Sequence, residues 1–169
     1  DAMLDVDDTI DPNTLKILYS VAAETSCDLV FCDSKWIENS KNQRSNIFSY
    51  SSDKAIESSE LTKTMQRRLY NPKHMGGPLS CKGRLIKHSI IFDNKILFDE
   101  KLRYLEDEIF MWDVLAFVQT VMYVHNQLYT YYVHPNVDTA VARGLSLGFP
   151  VSKFKLITTH IQNSFKQRG

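Results

Sequence analysis

Three carboxylates fall within four residues in Met3-Leu4-Asp5-Val6-Asp7-Asp8-Thr9-Ile10, at the end of a short apolar run and just before Asp11-Pro12. Such a cluster repels itself unless a cation sits among it, and a short strand that ends in acids usually means a hard metal ion. In an extended segment Asp5 and Asp7 share one face and Asp8 points to the other. Two oxygen donors on one side suit Mg2+ or Mn2+, which keep their remaining coordination positions for water and phosphate. The plainer reading is that Asp7, Asp8 and Asp11 only make a turn and cap a helix. Three acids directly after Met3-Leu4 are more than a turn needs.

The chain on either side of the acids alternates between helix and strand patterns. Ala2 to Leu4 reads as the end of a buried strand. Asp11 reads as an N-cap, with Pro12 where its missing N–H costs nothing. Leu15, Leu18 and Ala22 share one face of the helix that follows, which should run to about Thr25. Asp28-Leu29-Val30-Phe31-Cys32 is a nearly continuous apolar run suited to a central strand. Helix then strand predicts an α/β domain. Ser34 to Ser58 is polar and aperiodic, an excursion of strands or loop over the site. Glu60 to Tyr70 has helical spacing and stops at Asn71-Pro72, and Gly76-Gly77-Pro78 marks a hinge or tight turn. Arg84 to Ser89 is expected as a short helix, Glu108 to Val124 as the strongest helix, and Leu128 to Val133 as a strand. Pro150 and Ser152 open a final amphipathic helix carrying Phe154, Ile157 and Ile161.

At 169 residues and 43% apolar content the chain can bury a sizeable core as one domain. Twenty basic residues balance twenty acidic ones, so no overall field argues for nucleic acid as a partner. The local basic pairs in Gln66-Arg67-Arg68 and Lys82-Gly83-Arg84 read as solvated helix faces. No apolar run approaches the ~18 residues of a membrane span, and no signal peptide is visible. Three cysteines without a CxxC pair fit a reduced, cytoplasmic compartment. On a strand Cys27 and Cys32 would face opposite ways. The chain opens without Met, close to the acid cluster, so earlier strands are expected upstream.

Two chemistries write nearly these letters. "LDVDDT" resembles, letter for letter, the aspartate-nucleophile motif of haloacid-dehalogenase-like phosphatases, which implies that Asp5 attacks phosphate, Asp7 is the acid/base and Thr9 helps set the turn. Ser34 and Lys82 fill that family's next two roles only by force, and its acidic pair would have to be Glu106-Asp107, which opens a helix.

The second resemblance runs through four blocks in order, over most of the chain. "MLDVDDTIDPNTLKILY", "DLVFCD", "CKGRLIKHSIIFDNKILFDEKLRYLEDEIF" and "LYTYYVHPNVDT" are similar to the metal-binding DxD strand, the next strand, the segment leading to a Glu-Asp pair and the tyrosine-rich strand of a family 2 glycosyltransferase of the GT-A type. The resemblance implies a GT-A-like mixed sheet flanked by helices, without the N-terminal βαβ units that hold the nucleotide. Residues 1–149 would be the catalytic and acceptor-side part and residues 150–169 a C-terminal helix. It further implies inversion by a single displacement, with a nucleotide-diphosphate sugar, expected to be a UDP-sugar, as donor and a saccharide or glycolipid as acceptor. Bacterial surface-polysaccharide synthesis at the inner face of the membrane is the commonest setting.

Within that reading Asp7 and Asp5 hold Mn2+ or Mg2+, and Asp5, Asp8 and His134 face the donor. Asp107 is the candidate base and Glu106 orients the acceptor or the base. Each has a plainer account. Glu106, Asp107 and Glu108 in a first helical turn favour the helix dipole in any protein, His134 before Pro135 suits a surface turn, and Tyr129, Tyr131 and Tyr132 suit packing. A non-catalytic interaction domain on the same fold is the third class, and the joint presence of Asp5, Asp7 and Asp107 argues against it. Nothing in the sequence sets an oligomeric state, and the neutral surface leaves peripheral membrane association open.

Overall fold

The computed structural model describes residues 1–38, 42–46, 56–57, 80–102 and 106–133, together with 159, 160, 162, 163 and 166. The two longest strands, β2 (Leu29–Glu38) and β6 (Thr120–Val133), lie side by side and parallel at the centre of a six-stranded mixed sheet. Around them pair β1 (Thr9–Ile10) and β4 (Ile56–Glu57) with β6, and β3 (Asn42–Asn46) and β5 (Arg84–Ile86) with β2, all antiparallel.

Alternation along the two central strands builds two cores. Leu29, Phe31, Val121 and Tyr123 pack with Ile86 of β5 and with helix α2 (His88–Asp93) and helix α3 (Glu106–Phe117) through Ile90, Trp112 and Leu115. Val30, Cys32, Met122 and Val124 face the other way, onto helix α1 (Thr14–Thr25) through Leu18, Val21 and Ala22. A sheet covered on both faces explains why these strands read as unbroken apolar runs rather than as alternating ones. Among the described residues no helix is long and apolar enough to cross a membrane.

Helix α1 ends at about the residue expected, but its start differs. Asn13 holds the N-cap position, while the Asp11 carboxylate accepts the Asn13 N–H at 2.8 Å and the Asp11 carbonyl accepts that of Thr14 at 2.9 Å, a turn that delivers the chain into the helix. The buried face runs through Thr14 and Leu18, leaving Leu15 half exposed.

Three other expectations are corrected. Met3 makes only an isolated parallel bridge to Lys82, so residues 2–4 are not a strand of the sheet. Arg84 to Ile86 is strand β5, pairing with Leu29 to Phe31, and the helix begins only at His88. The helix expected over Glu108 to Val124 starts at Glu106 and stops at Phe117. The Asp28 carboxylate there accepts the N–H groups of Gln119 and Thr120, at 3.0 and 3.4 Å, and turns the chain into β6. The apolar run is shared between a buried helix and a buried strand, which periodicity alone does not separate. Cys27 precedes β2 and joins the same core cluster as Cys32, so strand alternation does not apply to it. All three cysteines are buried and unbridged.

The helix expected over Glu60 to Tyr70, the turn at Gly76-Gly77-Pro78 and most of the C-terminal helix lie outside the described residues. Residues 159, 160, 162, 163 and 166 are helical, and the His160 ring lies 2.8 Å from the Asp113 carboxylate on α3.

Candidate active site

The acid cluster sits on a tight turn, closed by the Asp8 N–H donating to the Asp5 carbonyl at 3.1 Å. The extended alternation that would have sent Asp8 to the opposite face is therefore broken. Ligand atoms of all three carboxylates lie within 4.8 Å of one another. Asp7 is exposed, the Asp5 side chain is half exposed, and Asp8 is buried.

Asp8 fastens this turn to β6. The Tyr129 hydroxyl donates to Asp8 Oδ2 at 2.5 Å, and the Tyr132 backbone N–H donates to Asp8 Oδ1 at 3.1 Å. Two register shifts between β2 and β6, at Cys32/Asp33 and Asp33/Ser34, precede these tyrosines. Such bulges re-aim side chains beside functional sites, and here the strand that carries Tyr129 and Tyr131 also pairs with β1 directly after the acids. Burial, then the bond to Asp8, holds the Tyr129 hydroxyl well above the usual phenol range, so it remains a donor.

The cation that the cluster demands is Lys82. Its Nζ lies 2.6 Å from Asp5 Oδ2, 3.5 Å from Asp8 Oδ2 and 4.3 Å from the centre of the Tyr131 ring. Burial works against its charge, but the hydrogen bond and charge of Asp5, with Asp8, outweigh it and hold the ammonium above the ordinary lysine range. The reading of Lys82-Gly83-Arg84 as a solvated helix face is corrected. Lys82 lies within the acids, and Arg84 is buried on β5, stacked over Phe31.

Gly83 makes this placement feasible. Its φ is +65°, and a Cβ there would meet Cys32 Sγ at 3.2 Å and Tyr129 Cβ at 3.3 Å. Its carbonyl accepts the Cys32 N–H at 3.1 Å. The left-handed residue turns the chain from Lys82 into β5 while pressed against the tyrosine that holds Asp8. Gly83→Ala is expected to destabilise the fold by about 2 kcal/mol in denaturant unfolding.

Asp107 lies in the first turn of α3. That helix is apolar on nearly its whole circumference and buried, so its N-terminus is rigidly placed. Burial raises the Asp107 carboxyl above the usual range. The Glu108 N–H (2.8 Å), the Lys82 charge and the Ser80 side chain oppose that rise, and the Asp5 charge adds to it. Asp107 is thus electrostatically linked to Lys82, and to Asp5 some hundred positions away in sequence. The neighbouring Cys81 thiol is pushed up to about 12, by burial and then by Asp107 and Asp5, and stays protonated.

The structure therefore clusters Asp5, Asp7 and Asp8, with Asp107 within electrostatic range of Asp5 and Lys82. Glu106 is partly buried at the start of α3, and His134 lies outside the described residues. The glycosyltransferase reading left Lys82 and Tyr129 out of the site, and its only signal for Lys82 was the need of three acids for a cation. Lys82 does reach Asp5, as the phosphatase reading asked. Ser34, however, lies inside β2 rather than at its end, and the acids are not on a strand of the sheet, which is mixed rather than parallel.

An all-oxygen set of converging carboxylates fits a hard divalent cation. Asp7 and Asp5 would hold it, because both Asp8 oxygens are engaged by β6.

No family model matches the chain, and no curated protein matches it. Solved structures do. S. aureus TarS 1–349 in complex with UDP superposes with a TM-score of 0.56 at 20% identity, over 79% of this chain and 36% of that one. TarS 1–349 in complex with UDP-GlcNAc gives 0.58 at 19% identity, over 80% and 35%. A longer S. aureus TarS structure gives 0.57 at 19%, over 79% and 22%. The chain thus spans about a third or less of the structures it resembles. The mixed sheet flanked by helices is part of a GT-A glycosyltransferase fold.

Proposed function

We infer that this chain is the portion, from the DxD turn onward, of an inverting, metal-dependent glycosyltransferase. It moves a sugar from a nucleotide diphosphate, a UDP-sugar, to a hydroxyl of a saccharide or glycolipid acceptor on the cytoplasmic side of a membrane. One observation supports the reading: on this fold a cluster of three acids lies within electrostatic range of an acid in the first turn of a buried helix, far away in sequence. The UDP and UDP-GlcNAc in the TarS structures support the donor class.

The two acid groups have separate tasks. Asp7 and Asp5 face outward, where a diphosphate would lie, and Asp8 holds their turn against β6. Mn2+ or Mg2+ on Asp7 and Asp5 would neutralise the charge that develops on the leaving diphosphate. Asp107 takes the acceptor proton as the hydroxyl attacks from the opposite face of the sugar, and Glu106 beside it orients the acceptor. His134, on the chain just past β6, contacts the donor. The non-catalytic reading gives no reason to hold a partly buried, raised carboxyl within electrostatic range of a metal-ready turn.

Metal and donor should bind with mutual reinforcement, since the diphosphate completes the coordination. Calorimetry on the full-length protein is expected to show Mn2+ binding more tightly with UDP present, and Asp7→Asn is expected to abolish that linkage. Undiminished linkage in the variant would place the metal elsewhere.

A further inference from the structure

Lys82 is the one cation placed among the acids by the described structure. Its Nζ touches the very carboxylate, Asp5, that faces outward with Asp7, and it also reaches the buried Asp8. The placement is built. Lys82 bridges to Met3 at the start of the acid turn, its N–H donates to Ser80 Oγ at 3.2 Å, and Gly83 fixes the exit of the chain. An ammonium at 2.6 Å from Asp5 Oδ2 and a divalent ion on the same carboxylate repel each other at short range in a partly buried site.

We propose that Lys82 is a tethered counter-ion occupying the cation position of the acid turn, so that divalent metal binds by displacing its ammonium from Asp5. This rests on the metal site read above and adds to it a residue that sets how tightly the metal is held. Without metal, Lys82 keeps three clustered acids compatible with a folded turn. With metal, the ammonium leaves Asp5 and stays partnered, because it also lies over the Tyr131 ring, 4.3 Å from its centre, and its charge already acts on Asp107. The resting site is held in place and metal occupancy is kept weak until a diphosphate adds its own oxygens. Lys82 is thus a positioning residue that acts through Asp5 and Asp8.

The test is Mn2+ calorimetry, without nucleotide, on full-length wild-type, Lys82→Met and Lys82→Arg proteins. Lys82→Met keeps an unbranched apolar side chain of similar length and removes the charge. It should bind Mn2+ about tenfold more tightly, its melting temperature should rise more on Mn2+ addition than the wild type's, and Lys82→Arg should return the affinity toward wild type. A merely structural lysine predicts unchanged or weaker binding in Lys82→Met, and that result overturns the exchange while leaving the metal site intact. Absence of Mn2+ binding in all three proteins overturns both. Should Lys82→Met not fold, the wild type decides the matter. Its Lys82 side-chain NMR signal must shift on Mg2+ titration with the same midpoint as metal binding, and a stationary signal overturns the exchange.

Discussion

Asp107→Asn in the full-length protein is expected to lower sugar transfer at least about 100-fold, the lower end of what a positioned base contributes, with donor and metal affinity nearly unchanged. Steady-state kinetics over a panel of nucleotide sugars, with calorimetry for binding, measures both quantities. The expectation rests on position. Asp107 is held by a buried helix, and its carboxyl sits within electrostatic reach of the metal-ready turn. A purely helix-capping Asp107 predicts the contrary, because Asn caps about as well as Asp and the rate would hardly move. Glu106→Gln should cost less and act mainly on the acceptor concentration required.

The raised Asp107 carboxyl adds two signatures. The base must be ionised, so the acid limb of the pH–rate profile should lie above the pH at which an ordinary aspartate titrates. Folding linkage has its own sign. A group whose folded pKa is raised by burial favours the folded state fully below its unfolded pKa, and that contribution is lost as pH rises through the folded value. Ionised Asp107 therefore works against the fold at neutral pH, and Asp107→Asn should melt at an equal or higher temperature there. Lower activity with undiminished stability is the pattern of a functional acid.

How much of this was legible before any coordinates depended on whether the cause was local. Helix α1 and the core of β2 were, because apolar spacing and the Asp11-Pro12 turn act within a few residues. Asp107 at a helix start was legible for the same reason. The end of α3 was not, since it is set by the Asp28 carboxylate, 91 positions away from Gln119. Nor was β5, whose three residues are strand only because Leu29 to Phe31 lie beside them. At the site, repulsion among Asp5, Asp7 and Asp8 was enough to require a cation. Lys82 sits in a stretch whose local pattern looks solvated, and only its bridge to Met3 carries it there. Tyr129 reads as a packing residue, and its ring is one; the hydroxyl's partner lies 121 positions upstream.

The three acids, nearly interchangeable by eye in the sequence, are expected to separate sharply on mutation. Asp8→Ala should destabilise the fold by about 3 kcal/mol in denaturant unfolding, the lower end for removing one partner of a buried charged pair. Its side chain is fully buried and accepts from the Tyr129 hydroxyl and the Tyr132 N–H, with Lys82 at 3.5 Å. Removing it strands a phenol and an amide and leaves Lys82 with Asp5 alone. Asp8→Asn should recover part of the loss, since its carbonyl oxygen can still accept one of those bonds. Asp7→Ala removes an exposed carboxylate from a crowded cluster and should leave stability within about 0.5 kcal/mol of wild type. That variant should instead lose the coupling between metal and nucleotide. Equal destabilisation by Asp7→Ala and Asp8→Ala would mean that the turn acts as a single structural unit, and the assignment of Asp8 as its anchor and Asp7 as its metal ligand would then be wrong.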